Sequence, residues 1–128
     1  MNIYYDFHIH SCLSPCGDDD NTPNNIVNMA LIKGLNAIAL SDHNTGKNCP
    51  ATIAAGKKNG LVVLPAMELT TSEDIHVLCL FEKYEQPPAL EEYIAPRRLR
   101  IKNREEIFGR QLIMNEFDEL IGREEDLL

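Results

Sequence analysis

The strongest constraint on this chain is the run Ala37–Leu40, four consecutive apolar residues that stop abruptly at the polar stretch SDHNTG. A strand with no polar face has to be covered on both sides, and that is the habit of strands in parallel sheets flanked by helices. The surrounding segments fit this demand. Residues 2–9 read as a β-branched and aromatic strand, and residues 24–32 place apolar side chains at helical spacing. Thr22 and Pro23 supply an N-cap and a first turn for that helix, and Gly34 stands where its end belongs. Residues 50–59 form a second helix closed by Gly60, LVVLPAMEL a third strand, and residues 75–81 a fourth. The order β-α-β-α-β-β predicts an α/β layer or barrel.

A chain of 128 residues with 44% hydrophobic composition can bury one modest core, so a single domain is expected. After residue 82 the character changes: Pro87 and Pro88 precede a helix predicted from 89 to about 100. Residues 111–114 and 119–121 then flank NEFD as a hairpin, so 83–128 reads as a helix and hairpin extension. No apolar run approaches the roughly 18 residues of a membrane span, and the first residues lack a signal peptide's basic flank, so a soluble cytoplasmic protein is expected. A net charge of −8 argues against an extended nucleic-acid surface, because phosphate contacts need clustered Lys and Arg. An anionic substrate would need cations supplied by the site. Cys12, Cys16, Cys49 and Cys79 show no paired spacing and are expected to be reduced, with Cys79 a core thiol in its apolar run.

All four histidines, His8, His10, His43 and His76, fall at boundaries of predicted strands. His8 and His10 are two residues apart, so on a continuous strand they share one face with Cα atoms about 6 to 7 Å apart and can share a cation. Asp6 lies on that face and suits a bridging or orienting role. The pair Asp42 and His43 follows the second strand and Glu68 ends the third, which brings them to the carboxyl edge where α/β sites form. A carboxylate has two oxygens, so Glu68 is the residue best able to bridge two cations.

DFHIHS, then SDHN, then MEL with His76 eight residues after Glu68, resembles the polymerase and histidinol phosphatase superfamily, the PHP domains. The resemblance is carried by residues 1–82. It implies the first strands and helices of a distorted (β/α)7 TIM-like barrel, and a metal-dependent phosphoesterase acting on a phosphorylated small molecule or nucleotide. It makes His8, His10, His43, Glu68 and His76 ligands to two or three divalent metal ions, with Glu68 bridging and Asp6 and Asp42 supporting catalysis. Mixed imidazole and carboxylate donors suit manganese, zinc or iron. In some relatives the loop after the HxH motif holds a third-metal ligand. Here that position falls near Cys16, with Asp18, Asp19 and Asp20 just beyond, and both donor types remain open.

The sequence has no histidine after His76, so the later family motifs find no counterpart. About half a barrel is expected to lie outside the chain, which would expose the edge of the fourth strand and favour self-association. Three other readings fit the same residues. One is a noncatalytic metal-binding or interaction module, and another is an amidohydrolase-like hydrolase, which also opens with HxH. A third has Cys12, Cys16 and Cys49 meeting to hold iron or a cluster.

Overall fold

A computed structural model describes residues 1–128. Strands β1 (Tyr5–Ile9), β2 (Ala37–Leu40) and β3 (Val62–Thr70) are joined by helices α1 (Pro23–Ile32) and α2 (Cys49–Asn59) and pair in parallel, in that order. Ile38, Ala39 and Leu40 are completely buried, as a strand without a polar face requires. Ile26, Val27 and Ala30 of α1 and Ala55 of α2 pack with Ile38, Leu40, Leu61 and Val63 into the main core.

The predicted helix boundaries hold to within a residue. The Thr22 hydroxyl accepts from the Asn25 N–H at 3.4 Å, Pro23 opens α1, and Gly34 adopts a φ of 77° just beyond its end. On α2, Gly56 lets the helix lie against β3, since a Cβ there would stand 2.4 Å from the Val63 Cγ2.

Strand β4 (His76–Leu80) is antiparallel to β3, with Thr70 opposite His76 and Ala66 opposite Leu80. Parallel strand ends therefore carry only part of the site. Residues 71–75 are too few for a crossover, which needs about a dozen residues or more, so the chain turns back as a hairpin. The reversal puts the start of β4, and with it His76, beside the end of β3. Strand order β1-β2-β3-β4 leaves β1 and β4 as open edges. Cys79 is only half-buried, because β4 has no layer packed over it.

Beyond β4, α3 (Gln86–Ile94) begins before the predicted start, because Pro87 and Pro88 sit in its first turn, where a missing N–H costs nothing. It also ends earlier, giving way at Pro96 to a 3₁₀ turn (Ala95–Arg97). A short helix α4 (Glu105–Phe108), absent from the sequence reading, precedes the expected hairpin of β5 (Leu112–Met114) and β6 (Leu120–Arg123). That hairpin docks on the loop after β1. The Leu112 N–H donates to the Cys12 carbonyl at 2.8 Å, and Cys12, Leu112 and Met114 form a second small core. No helix is long and apolar enough to cross a membrane.

Candidate metal centre

Each strand end contributes one piece of the site. His8 is on β1, His10 directly after it, His43 follows β2, Glu68 lies near the end of β3, and His76 begins β4. An isolated parallel bridge pairs His43 with Glu68, extending the β2–β3 ladder past the end of β2. The Glu68 N–H donates to the Asp42 carbonyl and the Asn44 N–H donates to the Glu68 carbonyl, both at 3.0 Å. This backbone clamp sets the Glu68 side chain among the imidazoles.

The carboxylate of Glu68 is buried and ringed by all four histidines. Its Oε2 stands 3.0 Å from the His8 Nε2, 2.7 Å from the His10 Nε2 and 3.6 Å from the His43 Nε2, while Oε1 is 2.9 Å from the His76 Nδ1. The rings themselves are adjacent, with centroids 5.1 Å apart for His8 and His10, 4.5 Å for His10 and His43 and 5.5 Å for His43 and His76. Burial pushes the Glu68 carboxyl up. Hydrogen bonds from His8 and His76 and the charges of His43 and His10 outweigh it and bring the group down to about 2. Burial and the neighbouring His10 hold His43 below its ordinary value, against the opposing pull of Glu68.

Three sets of donors lie within ligand reach of one another: His8, His10 and Glu68; His43, Glu68 and His76; and His10, Cys16 and His43. The first two share Glu68, which is the geometry of a bridging carboxylate. Whether such residues suit a cation is tested by the His10 Nε2, which is buried and makes no hydrogen bond, although Glu68 is only 2.7 Å away. Its direction is wrong for an N–H to the carboxylate and right for a lone pair aimed into the cluster. The donors, imidazole nitrogen and carboxylate oxygen, suit a borderline divalent metal.

Not all the predicted residues converge. Asp6 is exposed and accepts from the His8 N–H at 3.0 Å, away from the imidazoles. The β1–β2 register slips between Asp6 and Ile9, and that irregularity breaks the strict alternation on which a shared face depended. Asp42 is buried behind the cluster, where its carboxylate accepts from the Ser11 N–H (2.7 Å), the Ser11 hydroxyl (2.6 Å) and the Ser14 hydroxyl (2.7 Å). Burial raises its carboxyl against those three bonds. Asp42 thus ties down the loop that follows His10. Ser14 completes the link by accepting from the His43 N–H at 3.1 Å.

Cys16 does reach the cluster, its Sγ 2.8 Å from the His10 Nδ1. Gly17 permits this approach, because a Cβ there would lie 2.1 Å from the Ser11 carbonyl oxygen. The aspartates beyond it turn elsewhere: Asp18 accepts from the Asp20 N–H, and Asp19 pairs with Arg110. The three-cysteine reading fails, since the Cys12 Sγ faces the Leu112 carbonyl while that of Cys49 faces the carbonyls of Leu40 and Ala66. Ser11, Ser14 and Asn48 escaped the sequence reading, because small polar residues in a loop look like ordinary turn formers.

A carboxylate encircled by imidazoles at one edge of an α/β sheet defines a candidate polynuclear metal centre of the kind used in hydrolysis. The PHP domain family matches residues 6–122, and the chain belongs to that family. It is 32% identical over 87 residues to a 5'-3' exoribonuclease of Haemophilus influenzae, covering 65% of this chain and 31% of that protein. It is 31% identical over 93 residues to an uncharacterized protein of Methanocaldococcus jannaschii, covering 66% of this chain and 54% of that protein. Among solved structures it resembles a candidate metal-dependent phosphoesterase from Bifidobacterium adolescentis, at a TM-score of 0.51 and 28% identity, over 62% of this chain and 27% of that one. An amidohydrolase from Chromobacterium violaceum with bound sulfate and no metal shares the fold, at a TM-score of 0.55 and 23% identity, over 76% of this chain and 34% of that one. The chain therefore spans between about a third and about half the length of the curated relatives it matches, and its fold is part of a TIM-like barrel.

Proposed function

We propose that this chain supplies the metal-binding face of a divalent metal-dependent phosphoesterase, acting on a phosphorylated small molecule or a nucleotide. The observation that carries this reading is the buried Glu68 carboxylate with both oxygens turned to imidazoles, beside a His10 Nε2 that lacks any hydrogen-bond partner. His8, His10 and Glu68 would hold one ion and His43, Glu68 and His76 a second. When bound, such ions lower the pKa of a water and neutralise charge on phosphate oxygens, the two contributions phosphate ester hydrolysis needs. Glu68 fixes the spacing of its neighbours, and the His43 bridge keeps that spacing from drifting. Asp42, through Ser11 and Ser14, holds the loop from which His10 emerges. Half-exposed His8 and His76 leave the cluster open to an anionic substrate on one side.

Metal content of the purified, tag-free chain, measured by inductively coupled plasma mass spectrometry beside Glu68→Ala, tests the reading. Bound manganese, zinc or iron that is lost in the variant supports it, and hydrolysis of an aryl phosphate ester but not of an aryl amide then identifies the reaction. Metal bound without turnover would favour a noncatalytic module. A chain that binds none of these ions would sink the reading.

A further inference from the structure

We infer that Cys16 is a positioning residue that fixes the tautomer of His10, and is not itself a metal ligand. The inference rests on the metal-site reading for its consequence but on the metal-free geometry for its substance. The two nitrogens of an imidazole diverge, and in His10 each has a separate neighbour: Nε2 faces Glu68 at 2.7 Å, and Nδ1 faces the Cys16 Sγ at 2.8 Å. Only the second contact has hydrogen-bond geometry. If the proton were on Nε2, it would be a buried donor with nothing to receive it, a costly state. With the proton on Nδ1, the N–H donates to the sulfur, and the Nε2 lone pair points into the cluster with His8 and Glu68.

Metal-binding histidines usually have the remote nitrogen held by a carboxylate or a carbonyl, and losing that partner weakens metal binding about 10- to 100-fold. In this chain a thiol holds that place. An ion bound at Nε2 lies on the far side of the ring from Cys16, so the thiol acts on it only through the imidazole. Cys16 is also the exposed cysteine, with Cys12 and Cys49 buried and Cys79 half-buried. Alkylating Cys16 would therefore replace the acceptor of the His10 proton and loosen the site without touching a ligand.

The rival arrangement has Cys16 binding an ion directly with His43 and His10, which also lie within ligand reach. Two measurements separate the two. Long-range ¹⁵N correlation spectra of the metal-free chain report which His10 nitrogen carries the proton. The expected result is protonated Nδ1 in the native chain and a shift toward protonated Nε2 in Cys16→Ala; protonated Nε2 in the native chain, or no change in the variant, overturns the inference. Titration with cobalt(II) gives the second. We expect ligand-field bands without a thiolate-to-cobalt charge-transfer band, and an affinity in Cys16→Ala lower by about 10- to 100-fold. A charge-transfer band that Cys16→Ala abolishes would make Cys16 a ligand and overturn the positioning role, while the metal-site reading stood. A chain that binds no cobalt but shows the expected tautomer change would sink the metal-site reading and leave the Cys16–His10 assignment intact.

Discussion

The backbones of His43 and Glu68 are joined by an isolated parallel bridge, so two motifs 25 residues apart in sequence become one rigid unit. The bridge ends at Asn44, whose side-chain oxygen accepts from the Thr70 N–H at 3.0 Å and whose backbone sits at a φ of 56°. Asparagine is among the few residues that hold this left-handed conformation and bond locally at the same time. Asn44→Gly keeps the backbone and loses the bond, and should cost about 1 kcal/mol. Asn44→Ala adds the left-handed penalty and should cost about 1 kcal/mol more. Urea denaturation of the two variants would show that order; equal stability would mean the conformation at Asn44 carries no strain.

A second consequence concerns Cys49, the buried thiol whose Sγ donates to the carbonyls of Leu40 and Ala66. Burial pushes it from 9.0 up to about 12. Between those values the unfolded chain ionises and the folded chain does not, so the folded state holds the extra proton. Stability from this group is fully present below about pH 9 and falls by up to about 1.4 kcal/mol per pH unit above it. The melting temperature of the native chain should therefore drop more steeply than that of Cys49→Ala from pH 9 to pH 11. Parallel slopes would mean the thiol titrates normally in the fold.

Much of the fold was legible because the patterns are local. Ala37–Leu40 marked a strand covered on both faces, Thr22 with Pro23 marked a helix start, and Gly60 marked an end. The histidines and Glu68 were legible because the strand ends that carry them meet at one edge. What escaped depends on contacts between distant segments. Asp6 looked aligned with His8 and His10, but a slip in the β1 register turned it to the backbone. Cys79 looked like a core thiol, because an apolar run does not say whether a layer covers it. Pro87 and Pro88 looked like a break and turned out to open α3. Nothing in residues 111–114 announced that they would brace the loop after His10, since Asn48, their partner, lies more than 60 residues away.

That brace gives the third prediction. The Asn48 side chain is fully buried and joins three segments: its amide donates to the Ser11 hydroxyl and the Leu112 carbonyl, both at 3.0 Å, and its oxygen accepts from the Met114 N–H at 2.9 Å. Asn48→Ala would strand a buried N–H and a buried carbonyl together, a loss of about 2 to 4 kcal/mol. Hydrogen exchange should then quicken at the Met114 amide and across residues 11–16, while the α2–β3 core stays protected. If exchange rises uniformly instead, Asn48 serves the whole fold and not the junction between the hairpin and the site loop.

The open edge at β4 leads to the last prediction. Val77, Leu78 and Leu80 are 42%, 38% and 46% exposed on a strand with only β3 for a partner. An edge with unpaired backbone groups and apolar side chains on it is a template for another strand, and proteins commonly block such edges with a lysine. Here β4 carries none; its sequence is HVLCL. The chain should therefore associate as concentration rises, with β4 edges pairing between copies. Val77→Lys, at a position already open to water, should shift light-scattering mass toward the monomer and leave the circular dichroism spectrum unchanged. A native chain that stays monomeric at every accessible concentration would mean the edge is guarded by its own twist or by neighbouring charge, and the association would have to be abandoned.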